Sequence, residues 1–414
     1  MPTKPATDPA QRTVALVLDA GGARSAYQVG ALEVLLPELE RRDLRPTVLI
    51  GTSAGALLSA ALAGVAHLPA DEQARGLRAV LEGAVKKNVM RPIWRQAPEV
   101  LLRYASETVG LSGFRLRGFL GTQPLARTLG RSIDWDRVHE NVESGLVSAL
   151  AVTATAVRTG RVTLFAQTAP AAVGGPEALP ALDEAHNRAY VPARLGVEHL
   201  LASSAIPVLF PSVRVREPAE AEGWYVDGAT RRRNPLVPVL ELGADAVVAV
   251  GTGSMRPPAA DTDADQRPVD LGDGGATLLG AVMDDPLRQD VRRVRETNAM
   301  LADEEVATAL AGYRERQGLA PLRPLPHVAL APERGDELAD VAMEVYRANH
   351  GSLRGTAADP DLQMVHRLLG SDSPLQGELL SYLLFDTDFF DAAAALGKRD
   401  AEAWVAEHPD LWAL

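Results

Sequence analysis

Residues Thr47 to Gly55 read Thr-Val-Leu-Ile-Gly-Thr-Ser-Ala-Gly, and a small-residue stretch with helical spacing, Ala54 to Ala66, follows. An apolar run that breaks into G-x-S-x-G and then a helix is the strand–turn–helix that thrusts a serine hydroxyl out at a tight bend. Gly51 and Gly55 flank Ser53, and so sharp a bend leaves no room for side chains beside it. The helix aims its positive end at the turn, where an oxyanion would develop. A serine in an ordinary strand-to-helix turn fits the same letters.

Upstream, Val14-Ala15-Leu16-Val17-Leu18 is an uninterrupted apolar run of the kind a doubly buried parallel strand shows. It ends in Asp19-Ala20-Gly21-Gly22-Ala23-Arg24-Ser25, after which a helical pattern begins. Two adjacent glycines between a strand and a helix let backbone N–H groups turn toward an anion. A nucleotide phosphate is the competing anion, but the glycine offsets miss G-x-G-x-x-G and no G-x-x-x-x-G-K-[ST] run exists. Downstream, Trp224-Tyr225-Val226 delivers Asp227-Gly228-Ala229. An acid at a strand end is a plausible base for a hydroxyl nucleophile, and Asp-Gly is equally a common turn signal.

Together these three stretches resemble the patatin-like phospholipase family. The likeness extends to Ala31-Leu32-Glu33-Val34-Leu35, Ala202-Ser203-Ser204-Ala205-Ile206-Pro207, Asn234-Pro235-Leu236 and Leu242-Gly243-Ala244-Asp245. The resemblance implies a serine-dependent lipid acyl hydrolase, a phospholipase A or esterase, working through a serine–aspartate dyad and an acyl-enzyme. Ser53 would attack the ester carbonyl, and Asp227 would take its proton and later activate water. Gly21, Gly22, Ala23 and Ala54 would hold the oxyanion. Gly51, Gly55 and Gly228 would support the site, and Arg24 would support the loop or attract a phosphate head group. No metal or cofactor is implied. The family's loop usually carries three consecutive glycines and a glycine after the arginine. Here Ala20 and Ser25 stand at the first and last of these positions. A methyl at position 20 is harmless in extended backbone and costly at positive φ.

Two rival readings remain. An α/β-hydrolase triad would use Ser53, Asp227 and one of His327, His350, His366 or His408, which satisfy its chain order. A non-catalytic binding protein retaining the fold would tolerate Ala20 and Ser25.

Composition sets outer bounds. The chain has 414 residues, 46% hydrophobic, with a net charge of −12 and a pI near 5.2. An acidic balance argues against nucleic acid as a partner. The absence of cysteine removes disulfides, thiolate metal sites and cysteine nucleophiles. The eight histidines are scattered without H-x-x-x-H or H-E-x-x-H spacing. No apolar stretch approaches the length of a membrane-spanning helix. Residues 1–12 are polar and proline-rich without a signal-peptide apolar region, and are expected to form a disordered tail of a cytoplasmic protein. Between Lys86 and Arg117 seven basic residues face only Glu99 and Glu107, interleaved with Trp94 and Tyr104. Two readings fit that segment: peripheral contact with an anionic bilayer, or an amphipathic helical cover on the core. Thr230-Arg231-Arg232-Arg233 likewise fits a phosphate-binding mouth or a solvated turn.

Apolar runs at Val14–Leu18, Val48–Ile50, Leu146–Val152 and Val247–Val250 alternate with helical patterns. This predicts an α/β fold of three layers, α/β/α, around a mostly parallel central sheet. Thr159-Gly160 predicts a hairpin and one antiparallel edge. The expected organisation is a catalytic core over 13–255, a flexible loop over 256–275, and a helical segment over 276–414 that completes the core or covers the site.

Overall fold

The computed structural model describes residues 12–89, 121, 123–170, 179–180, 182–184, 186–232, 234–256, 274, 277, 280–282, 285–350 and 376–414. The predicted tail, most of the 256–275 loop and most of the basic segment 86–117 lie outside these residues, as does Arg233.

Among the described residues nine strands form one sheet: β1 (Val14–Leu18), β2 (Pro46–Thr52), β3 (Ala149–Ala156), β4 (Val162–Thr168), β5 (Arg188–Pro192), β6 (Val213–Val215), β7 (Gly223–Asp227), β8 (Ala246–Val250) and β9 (His327–Leu330). Their order is β5-β4-β3-β2-β1-β8-β9, with β7 pairing to both β3 and β6. The five strands from β3 to β9 along this path are parallel to one another. As Thr159-Gly160 predicts, β4 returns antiparallel to β3.

β1 is buried along its whole length, and its side chains feed two cores. Leu16 and Leu18 enter one face and Ala15 and Val17 the other. The first face is covered by α1 (Ser25–Glu40), α2 (Ala54–Val65), α3 (Ala70–Gly83), α5 (Gln123–Ser132), α6 (Trp135–Glu143) and α7 (Val197–Ser203), while α4 (Lys86–Val89) packs Val89 against Phe210 in a separate small cluster. The second face lies against α8 (Val237–Glu241) and α9 (Asp285–Ala302), through Val239, Leu287 and Val291. The predicted three-layer arrangement is therefore the observed one. Beyond these follow α10 (Glu304–Arg316), α11 (Glu337–His350), α12 (Gln376–Leu383) and α13 (Thr387–Glu407). The segment beyond 276 is not purely helical: β9 is buried and adds the edge strand beside β8.

The register of β3 decides where strand ends meet. β4 occupies one edge of β3 from Ala149 to Thr155. On the other edge, β2 runs parallel and ends with Thr52 opposite Thr153. β7 comes from the opposite direction and ends with Asp227 opposite Ala154. The carboxyl ends of β2 and β7 thus meet head to head on a single edge.

α13 crosses α1 at backbone contact. A Cβ on Gly397 would lie 1.9 Å from the Tyr27 carbonyl oxygen, and one on Gly30 1.8 Å from that of Ala394. Reciprocal glycines let two helices approach where a methyl would force them apart. Gly397→Ala is therefore expected to lower stability by about 1–3 kcal/mol, read as a fall in melting temperature. Gly312→Ala, on α10 where no residue is buried, should be neutral or slightly stabilising. Equal melting temperatures for the two variants would refute the close crossing.

Candidate active site

Ser53 occupies the bend between β2 and α2 with φ 56° and ψ −125°. A non-glycine residue in such a conformation costs on the order of 1–3 kcal/mol and persists only where its surroundings enforce it. Those surroundings are visible. A Cβ on Gly51 would come within 2.4 Å of the Ala56 Cα, and one on Gly55 within 2.2 Å of the Leu18 carbonyl oxygen. The Ser53 N–H, turned out of the sheet, donates to the Ser203 hydroxyl at 2.8 Å.

Asp227 is fully buried. Its N–H donates to the Ala205 carbonyl at 2.9 Å, and its Oδ1 accepts from the Ala229 N–H at 2.9 Å. Oδ2 has no hydrogen bond of good geometry among the described residues, but the Ser53 hydroxyl is near enough to interact with the carboxylate. Burial pushes the Asp227 pKa up to about 6. The Ser53 hydroxyl, the Ala229 N–H and the Arg232 guanidinium pull it down, and the neighbouring Asp19 raises it. A carboxylate so shifted binds a proton more readily than an ordinary aspartate near 4.

The glycine loop lies beside Ser53. Gly22 has φ +53°, and a Cβ there would meet the Tyr382 carbonyl oxygen at 2.5 Å; both facts require glycine. Ala20 has no positive φ; its methyl is buried against Ala229 and Tyr382, so this departure from the family pattern carries no backbone strain. Ser25 opens α1 and stands on the wall of the cleft above Ser53. The N–H groups of Gly22, Ala23 and Ala54 have no acceptor among the described residues, and these three residues line the cleft with Ser53. Apart from Ser204 and Tyr382 the rest of its wall is apolar, including Leu57, Leu81, Leu125, Phe210, Phe385 and Phe390.

Two arginines behave differently from a surface reading. Arg24 is buried. Its guanidinium pairs with Glu378 at 2.7 Å, donates to the Ser381 hydroxyl at 2.6 Å and lies 4.1 Å above the Tyr382 ring. It ties the loop to α12, and its guanidinium is committed to the protein interior rather than to a head group. Arg232 is also buried and pairs with Asp19, while donating to the Thr52 hydroxyl at 3.2 Å. Only Arg231 of the described residues in the arginine run is exposed, so the run is neither a solvated turn throughout nor a uniform phosphate mouth.

Among the described residues no histidine lines the cleft. His327 begins β9 at the far end of the sheet, opposite Val247, and exchanges backbone hydrogen bonds with Ala413. His408 stacks on Trp404. His366 and the His350 side chain lie outside the described residues. Residues that hold the surroundings of Ser53 and were given no role from the sequence are Asp19, Gln28, Thr52 and Tyr382. Gln28 donates from α1 to the carbonyls of both Asp19 and Val250 at 2.9 Å. A buried-side glutamine one helical turn past a glycine loop was the available signal.

The sequence over residues 16–240 matches the family model described as Patatin-like phospholipase. The chain belongs to the patatin-like phospholipase family, whose members are lipid hydrolases. Among solved structures it is similar to VipD from Legionella pneumophila, at 12% identity over 96% of this chain and 88% of that one, with a TM-score of 0.29. It is also similar to the ExoU–SpcU complex from the type III secretion system of Pseudomonas aeruginosa, at 14% identity over 97% and 77%, with a TM-score of 0.28. Likenesses at this level carry no argument about chemistry. No curated protein matches the chain.

The raised Asp227 pKa has a consequence for stability. The folded chain holds this proton more tightly than the unfolded chain, whose value is near 3.8. Stability from this group is therefore present at low pH and lost as pH rises from about 4 through about 6, a loss on the order of 3 kcal/mol. Asp227→Asn, which keeps an acceptor for the Ala229 N–H, should melt higher than wild type at pH 8 and equally at pH 4. A constant difference across that range would contradict the buried-carboxylate assignment.

Proposed function

We propose that the protein hydrolyses fatty-acyl esters of glycerophospholipids or related lipids, with Ser53 as nucleophile and Asp227 as its base. The observation that supports this most is the head-to-head meeting of β2 and β7, which sets a strained serine beside a fully buried carboxylate at the base of an apolar cleft.

In this reading the acyl chain lies along the cleft and its carbonyl carbon sits at Ser53. Asp227 accepts the hydroxyl proton as Oγ bonds to that carbon. The carbonyl oxygen becomes an oxyanion facing the N–H groups of Gly22, Ala23 and Ala54, with Gly21 shaping the loop. Collapse breaks the ester C–O bond, and Asp227 returns the proton to the departing alkoxide. Water, deprotonated by Asp227, then attacks the acyl-serine and releases the fatty acid. Direct contact between base and nucleophile in a largely apolar cleft takes the place of an intervening histidine. A lipid surface is the proposed partner, and the basic segment 86–117 is the proposed place of contact.

The test is hydrolysis of a 4-nitrophenyl acyl series and of phospholipid vesicles. Ser53→Ala and Asp227→Asn should each lower kcat by about 10³-fold or more. For wild type, kcat/KM should rise with pH and level off above about 6, as Asp227 gives up its proton. Undiminished turnover in Ser53→Ala would remove the nucleophile assignment. Loss in Ser53→Ala alone would place the base elsewhere.

A further inference from the structure

The segment Ser203-Ser204-Ala205 leaves the end of α7 and passes beneath both Ser53 and Asp227. The Ser203 side chain is fully buried. Its Oγ accepts the Ser53 N–H at 2.8 Å and donates its own proton to the Thr153 carbonyl at 2.6 Å. Two residues later, the Ala205 carbonyl accepts the Asp227 N–H at 2.9 Å. The same Thr153 carbonyl is the atom that a Cβ on Gly228 would strike at 2.3 Å. Thr153 itself sits opposite Thr52 in the sheet, one residue before the partner of Asp227.

Sheet pairing ends at Thr52 on one strand and at Asp227 on the other, so neither ladder holds the Ser53 N–H in place. With φ at 56° that N–H points away from any strand neighbour, and a buried donor without an acceptor is costly. Only a side chain that accepts and donates at once can bridge this N–H to a carbonyl. A hydroxyl does so, and an alanine does not.

We propose that Ser203 is a positioning residue that fixes the nucleophile turn against β3, and that the 203–205 segment sets the spacing between Ser53 and Asp227. This rests on the dyad assigned above. Ser203 touches no reacting atom. It acts through the backbone of Ser53, and its loss lets the turn relax and carries Oγ away from the carboxylate.

Three variants test this: Ser203→Ala, Ser203→Cys, which keeps size while weakening acceptor and donor, and Ser203→Thr, which restores the hydroxyl. Two readouts are taken on the full chain: amide hydrogen exchange resolved at Ser53, with α13 as internal reference, and steady-state ester hydrolysis. Exchange at Ser53 should quicken by roughly tenfold in Ser203→Ala, less in Ser203→Cys, and return toward wild type in Ser203→Thr. kcat should fall in the same order, by about 10- to 100-fold for alanine, with KM little changed. Unaltered Ser53 exchange in the alanine and cysteine variants overturns the brace whatever the activity. Faster exchange with undiminished kcat overturns the positioning role. Faster exchange in a chain whose wild type cleaves no ester upholds the brace and removes the hydrolase reading instead.

Discussion

One edge of β3 is shared by two strands that arrive from opposite directions, and the site depends on that sharing. Thr153 and Ala154 are consecutive, so the strand ends facing them, Thr52 and Asp227, are held a single step apart. Backbone hydrogen bonds of a central sheet are among the least deformable parts of a fold. A serine placed just past one strand end and an aspartate placed on the other therefore need little further machinery to face each other. What they do need is a bend at Ser53, and the absence of side chains at Gly51 and Gly55 makes room for it. β7 is short and β6 shorter, which fits their role as a device for delivering Asp227 rather than as a load on the core.

Beneath this junction lie buried charges whose partners come from distant parts of the chain. Asp19 follows β1 directly, and its carboxylate caps the Ala20 N–H and pairs with Arg232. Arg232 in turn reaches Thr52, so one guanidinium joins the ends of β1 and β2 to the turn after Asp227. A buried pair of this kind adds little net stability against an apolar alternative, whereas loss of one partner is severe. Its value here is positional. It also restrains Asp227, because Arg232 favours the ionised carboxylate while burial and Asp19 oppose it. A carboxyl group whose pKa lies near 6 rather than near 4 emerges from that balance.

Much of the layering was legible in the sequence because apolar runs report burial on both faces. Val14–Leu18 and Val247–Val250 are unbroken and became adjacent parallel strands. Thr159-Gly160 marked the β3–β4 return. Short strands with polar letters were not legible: Arg188–Pro192 and His327–Leu330 earn their place by pairing at sheet edges rather than by pattern. The three chemical motifs were legible one by one, but their convergence depends on antiparallel register between β3 and β7, which no local signal encodes. Arg24 and Arg232 show the same limit from another side. Arginine is read as a surface residue, and its burial follows from Glu378, Ser381 and Asp19, hundreds of positions away for each. Ser203 stood in a recognisable motif, yet its task appears only once its hydroxyl is seen between two backbones.

Arg24 also imposes an order in time. Chains emerge from the ribosome amino end first, and early segments begin to fold as they appear. The strand, glycine loop and helix around Arg24 are made long before Glu378, Ser381 and Tyr382, the groups that neutralise, bond and stack on its guanidinium. Until α12 is synthesised, the loop must either stay open to water or bury an uncompensated charge, and the second is prohibitively unfavourable. A partly made chain therefore has its serine turn but an unfinished glycine loop. The glycine loop is thus completed last although it is made first, an order of assembly set by one buried guanidinium and the distal helix that receives it.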